Sequence, residues 1–157
     1  MVYMNLKVTA LAVFLLMPLL DGCVANQMVT AKEQLTPSQR LSAQAWLTTA
    51  VKDQNAQNVA LTDARAKNFV GYAYFKNDGT FKMYNLDDTP KMQGTWSVSE
   101  DGKTRTITAM NAEGKVFFTR VVDIVTLNAK EFTYRVKAQD GTFVDIVHLP
   151  TQHLQPK

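Results

Sequence analysis

The chain has 157 residues, 46% of them hydrophobic and 20% charged, and a formal net charge of +3. That length suits one domain with a real core; 8 Phe, 5 Tyr and 2 Trp argue against a disordered tail, and a single cysteine excludes a disulfide framework. The one long apolar run lies at the N-terminus, which excludes a polytopic membrane protein. The 17 Lys and Arg against 14 Asp and Glu are spread evenly and give no reason to expect nucleic acid as a partner.

Met1 to Lys7 carries one basic side chain, and Val8 to Leu20 is almost wholly apolar. Those 13 residues are too few for a bilayer, which takes roughly 20, and suit the apolar region of a signal peptide over residues 1–22. Leu20-Asp21-Gly22-Cys23 then resembles a bacterial lipobox, although Asp21 departs from the usual small or apolar residue. The resemblance implies cleavage before Cys23, acylation of its thiol, and a chain held on a membrane outside the cytoplasm. Val24 resembles the residue found in lipoproteins sent to the outer membrane, so in a Gram-negative cell the domain would face the periplasm. Two or three acyl chains give stable anchoring, whereas one is marginal. The plainer alternative is a secretory signal cut after Ala25.

Residues 23–35 show no sustained periodicity and form the expected tether, with the folded domain over 36–157. Thr36-Pro37-Ser38 offers an N-cap followed by proline at the first helical position, predicting a short helix that ends near Ala43. Beyond Trp46, turn signals recur at 53–55, 77–79, 87–90, 101–102, 111–114, 128–130 and 139–141, separating runs rich in Thr, Val, Tyr and Phe. Eight strands are expected near 45–52, 69–76, 80–86, 91–99, 104–110, 115–126, 132–137 and 142–149. The connection 56–67 has room for a helical turn. Short connections force antiparallel neighbours, and eight such strands close most readily into an up-and-down barrel, which removes both edges. The expected fold is therefore all-β.

Pairing the strands through their turns tests this. A two-residue loop at Asp101-Gly102 sets Trp96 opposite Ile107 and Val98 opposite Arg105. A four-residue loop at 111–114 sets Ile107 opposite Phe118 and Arg105 opposite Arg120; another at 87–90 sets Phe81 opposite Trp96. A bulge at Gly79 sets Phe75 opposite Phe81. One face then carries Phe69, Gly71, Ala73, Phe75, Phe81, Met83, Met92, Gly94, Trp96, Arg105, Ile107, Ala109, Phe118 and Arg120, the other mainly Lys, Gln, Ser and Thr. Because a slip of one residue turns every side chain over, this agreement supports the register. Tyr72, Tyr74 and Phe117 fall on the outer face; the 56–67 connection or the N-terminal helix is the expected cover.

A short helix leading to Trp46, Gly94-Thr95-Trp96, the alternating strand Thr104 to Thr108, and Phe132-Thr133-Tyr134 together resemble a lipocalin-type calycin. The resemblance is strongest to small secreted bacterial domains of unknown function with a lipocalin-like barrel, and runs from about Trp46 to His153. It implies a fold and leaves the ligand open.

Arg105 and Arg120 share the inward face, where two guanidinium groups suit the carboxylate or phosphate of an amphiphile. Tyr134 would complete a polar end, with Asp145 opposite it if 138–141 is the loop, and Trp96, Phe118 and Met83 would line the apolar part. The competing account places both arginines at the barrel mouth or in ion pairs with Asp123 or Asp145. His148 and Asp145 point to opposite faces of one strand, so they do not converge on a metal. Asp87-Asp88 reads as turn chemistry. No Ser sits beside a base, and no glycine-rich phosphate loop or Cys-x-x-Cys is present. The expectation is a non-enzymatic envelope lipoprotein without cofactor or metal, binding a small hydrophobic ligand or amphiphile. The alternative is a protein-interaction or inhibitor module with an envelope protein as partner, acting through loops 53–67 and 87–90.

Overall fold

Thr36 and Gln39 form a reciprocal capping box: the Gln39 N–H donates to Thr36 Oγ1 at 3.2 Å and the Thr36 N–H to Gln39 Oε1 at 2.9 Å. With Pro37 at the first position this produces helix α1 (Pro37–Ser42), as the sequence predicts. The computed structural model describes residues 35–157; the predicted signal peptide, Cys23 and the tether up to residue 34 lie outside the described residues. After α1 come β1 (Ala45–Asp53), β2 (Asn58–Val59), a 3₁₀ turn (Lys67–Phe69), β3 (Tyr72–Phe75), β4 (Thr80–Tyr84), β5 (Pro90–Val98), β6 (Thr104–Met110), β7 (Val116–Leu127), β8 (Phe132–Lys137) and β9 (Phe143–Thr151).

From β3 to β9 each strand pairs antiparallel with the next, β1 pairs with β3, and β1 and β9 pair from Ala45↔Thr151 to Asp53↔Val144. The result is a closed, eight-stranded, antiparallel up-and-down barrel, the all-β fold expected. The two-residue β2 adds a short rung at the far end of β1 (Val51↔Val59). The 56–67 connection thus contributes this rung and turns, with the 3₁₀ turn just beyond it.

One hairpin design recurs. In Lys76–Thr80, Asn85–Thr89, Asn111–Lys115 and Ala138–Thr142 the first N–H donates to the fifth carbonyl and the fourth N–H to the first carbonyl. The fourth residue has positive φ: Gly79, Asp88, Gly114 and Gly141. This is a type I turn followed by a left-handed bulge residue. Asp78, Asp87 and Asp140 each accept from the N–H and hydroxyl of the threonine two residues on, which pulls their carboxyls below the usual range.

These five-residue loops correct the predicted registers. Trp96↔Ile107, Val98↔Arg105 and Phe75↔Phe81 stand as expected. Phe81 instead pairs with Gly94, Ile107 with Arg120, Arg105 with Val122 and Ala109 with Phe118, each two residues from expectation because a bulge adds to the loop difference. A shift of two preserves the face, so Trp96, Ile107 and Phe118 all point inward and join the core. At β8–β9 the difference is one residue: Tyr134 pairs with Ile146 and Arg135 with Asp145. That slip turns β9 over relative to expectation.

Two inward glycines let strands approach where a side chain would not fit. A Cβ on Gly71 would lie 2.1 Å from the Tyr84 carbonyl oxygen, and one on Gly94 would lie 1.9 Å from that of Thr108. Their φ values, +147° and +155°, are open to glycine and strained for other residues. They serve curvature.

The barrel's two ends differ. Helix α1 packs against β3, β5 and β7 and closes one end; Leu41 is fully buried, and the Trp46 indole N–H donates to its carbonyl at 2.8 Å. Trp96 fills the same end, its ring 5.3 Å from Phe75 and its N–H donating to the Lys76 carbonyl. The outer tyrosines are covered by neither expected element but by the C-terminal tail. His153 stacks on Tyr72 at 3.9 Å, the Tyr74 hydroxyl meets His153 Nδ1 at 2.6 Å, and that of Tyr84 donates to the Pro156 carbonyl. Phe117 stays exposed.

Gly94→Ala is expected to lower unfolding stability by about 2 kcal/mol or more, since backbone strain alone costs about 1–3 kcal/mol and the carbonyl clash adds to it. Chemical denaturation of the two proteins, compared at equal m-value, checks this.

Candidate functional site

β6 carries Arg105 inward from Thr104–Met110, a strand whose alternate residues (Arg105, Ile107, Ala109) are all buried. The adjacent β7 carries Arg120, β8 Tyr134 and β9 His148, so alternation on four consecutive strands brings these side chains into one interior pocket. The pocket also touches Phe69, Ala73, Met83, Lys91 and Met92 and leaves about 20 Å³ free, room for about one water molecule.

The Arg105 guanidinium is 2% exposed and sits among aromatic faces: 4.2 Å from the centre of the Tyr134 ring, 5.4 Å from Phe132 and 5.7 Å from Phe75. Such faces stabilise a cation but accept none of its in-plane N–H groups. Arg105 Nε and Nη1 have no hydrogen-bond partner, and neither has His148 Nδ1. Among the described residues the buried polar or charged side chains are Thr48, Arg105, Thr133 and His148, so no carboxylate is buried with the cation. The pairs considered for it are made elsewhere: Arg135 Nε and Nη2 donate to Asp145 at 2.8 and 2.9 Å, and Lys137 reaches Asp123 at 2.7 Å.

Burial, reinforced by the nearby Arg120 charge, pushes the Arg105 pKa down, with Tyr134 opposing. Burial raises the Tyr134 phenol and Arg105 opposes that rise, so the ring stays neutral. His148, stacked 5.4 Å from Tyr134, is pushed down to about 3, chiefly by burial and then by Arg105. Arg120 lies over Phe69 at 5.3 Å and Phe118 at 5.0 Å. Lys91 donates to the Lys67 and Val70 carbonyls, tying the 3₁₀ segment to β5, and burial lowers its pKa. The interior therefore carries positive charge and neutral polar groups.

A second space, an open cleft of about 550 Å³, lies at the other end of the barrel from α1. Met83, Met92, Met110, Phe117 and Phe118 give it an apolar wall, and Lys82, Lys91 and Lys157 contribute ammonium groups. Met83, Tyr84, Lys91 and Met92 line both spaces.

Of the residues singled out from sequence, Arg105, Arg120, Tyr134 and Met83 meet in the interior, and Met83 and Phe118 meet in the cleft. Trp96 lines neither and packs the closed end. Asp145 is corrected to the outer face, opposite Arg135, because the β8–β9 loop has five residues rather than four. The same slip brings His148 inward, a placement sequence reasoning missed. Lys91 was missed as well; nothing in its alternation marks it, since its burial comes from the 67–70 segment folding over it.

Residues 38–157 match the family described as Domain of unknown function (DUF4822). The chain belongs to this family. No curated protein matches it. The DUF4822 match runs from α1 through the C-terminal tail, so the barrel, the interior pocket and the cleft all fall within the family domain.

His148 also gives this DUF4822 barrel an acid sensitivity of definite sign. A histidine whose folded pKa is depressed binds a proton more readily unfolded, so stability falls as pH drops from about 6.5 toward 3. The depressed carboxylates act in the same direction at lower pH, below about 4. Between pH 6.5 and 4.5 the melting temperature should fall in the wild type and fall less in His148→Leu; parallel curves would refute the assignment.

Proposed function

We propose that this DUF4822 chain is a non-enzymatic envelope lipoprotein with a lipocalin-like barrel, which holds a small hydrophobic or amphiphilic molecule in the cleft at its open end. The observation that carries this reading is the cleft itself: about 550 Å³, within the usual size of a ligand site, with a methionine and phenylalanine wall beside Lys82, Lys91 and Lys157. Methionine side chains adapt to ligands of different shape, and lysines at the rim suit an anionic or polar end. The closed meander plugged by an N-terminal helix supports the lipocalin-like description. The interior, filled by Phe75, Phe81, Phe132 and Tyr134 and left with about 20 Å³, argues against a large apolar ligand inside the barrel and directs the reading to the mouth. The lipobox-like Cys23 supports the membrane anchor.

The probe 1-anilinonaphthalene-8-sulfonate, an apolar body with an anionic group, should bind detergent-free protein saturably and be displaced by octanoate. Met92→Glu should weaken the probe at least about tenfold, about 1.4 kcal/mol, while far-UV circular dichroism and melting temperature confirm a folded barrel. Non-saturable binding, or an unchanged affinity in the variant, would remove the cleft as a site.

In a bacterial host, Cys23→Ser should move the protein from the membrane fraction to the soluble extracytoplasmic fraction and abolish metabolic labelling with palmitate. An unlabelled wild-type protein would instead indicate the ordinary secretory signal.

A further inference from the structure

The barrel interior holds a cation with no buried carboxylate among the described residues to neutralise it. We propose that the pocket bounded by Arg105, Arg120, Tyr134 and His148 binds a small monovalent anion, either a halide or a single carboxylate group. This goes beyond the cleft reading and does not depend on it.

Three observations carry the proposal. First, Arg105 is 2% exposed, yet two of its three nitrogens have no hydrogen-bond partner, and His148 Nδ1 beside it has none either. Buried donors are almost always satisfied, so three orphaned atoms around one cavity mark a missing partner. Second, the charge around them has one sign. Arg120 adds a second guanidinium and Lys91 an ammonium, His148 and Tyr134 are neutral, and among the described residues no carboxylate is buried with them. A water molecule could accept the N–H groups but would leave that charge unbalanced. Third, the aromatic rings of Tyr134, Phe132 and Phe75 surround the guanidinium while its Nε and Nη1 remain free. Those unsatisfied N–H groups are free to donate to a halide or a carboxylate oxygen.

The free space sets the size. About 20 Å³ admits one atom-sized ion, or the oxygens of a carboxylate whose remainder points past Met83 and Met92, which line both the pocket and the cleft. A tetrahedral phosphate is too large for it. The neutral Tyr134 hydroxyl supplies a further donor, and a neutral imidazole can turn either an N–H or a lone pair toward the pocket.

The full folded domain is titrated with bromide or acetate in chloride-free buffer, with gluconate as the bulky reference anion at equal ionic strength. Expected is a saturable rise in melting temperature with bromide and acetate beyond that in gluconate. Arg105→Met should abolish the difference, and Arg120→Met should weaken it about tenfold. Crystals grown in bromide should show an anomalous peak in the pocket, within hydrogen-bond reach of the Arg105 guanidinium. Equal melting temperatures in all three anions, or an Arg105→Met response matching the wild type, would overturn the proposal in favour of bound water alone. Should Arg105→Met not fold, the wild-type bromide crystal decides, and an empty pocket at saturating bromide overturns it. Octanoate separates the two sources of the anion: affinity equal to acetate identifies a free ion, whereas much tighter binding lost in Met92→Glu identifies the head group of the cleft ligand. Anilinonaphthalenesulfonate failing to bind would leave the bromide result untouched, so the two readings fail separately.

Discussion

The backbone ladder between β1 and β9 is the contact on which the rest of the structure depends. Running from Ala45↔Thr151 to Asp53↔Val144, it joins the first barrel strand to the last and turns an open meander into a ring. Without it, β1 and β9 would be edges, each presenting a row of unpaired N–H and C=O groups. With it, the inward side chains of eight strands share one interior screened from water. The ladder also fixes the ends. Trp46, which pairs with Pro150, sends its indole N–H to the Leu41 carbonyl and so holds α1 across one opening. The chain leaves β9 at that same end, and its tail turns back along the outside over Tyr72, Tyr74 and Tyr84, where His153 also reaches Asp88 at 3.1 Å.

Closure is what gives Arg105 its significance. On an exposed sheet an arginine among phenylalanines would extend its head group into solvent. Within the ring it is held at 2% exposure, where losing hydration costs several kcal/mol unless partners compensate. The rings of Phe75, Phe132 and Tyr134 compensate in part. The adjoining histidine adds no charge, because the same burial and the same guanidinium keep it neutral. Carboxylates occur on strands β7 and β9, yet Asp123 and Asp145 face outward and pair with Lys137 and Arg135. Positive charge is thus kept inside and its natural counter-charges outside, an arrangement set by strand parity.

Parity also explains how much was legible beforehand. The strands and the closure followed from turn signals and alternation, because apolar and threonine-rich faces segregate cleanly on β4 to β7, and the short helix followed from the Thr36 N-cap and Pro37. Errors of two residues at the β4–β5 and β6–β7 hairpins left every side chain on its expected face. The one-residue error at β8–β9 did not. There Phe143, Val147 and Leu149 lie on one face and Val144 and Ile146 on the other, so hydrophobicity gives no vote and the loop decides alone. The Asp140-Gly141-Thr142 pattern matches Asp78-Gly79-Thr80, whose bulge was recognised. Carrying that hairpin over would have turned Asp145 out and His148 in. Lys91 was not recoverable in this way, since its partners are backbone carbonyls of a segment with no periodic pattern.

The filling of the interior constrains any ligand more than the fold does. Curvature at Gly71 and Gly94 brings the strands close, and the aromatic side chains occupy the space thereby enclosed, so small inward residues here do not signify a large cavity. What remains is a charged pocket with about one water's worth of room, beside an apolar cleft that shares Met83 and Met92 in its lining. A molecule using both must be amphiphilic and must enter charge first, because the unsatisfied donors lie at the inner end and the apolar wall at the outer. Two of the four residues that line both are unbranched methionines, side chains that rearrange at little cost. Polarity is therefore set by side chains of β6 to β9, and the direction of entry by Met83 on β4 and Met92 on β5.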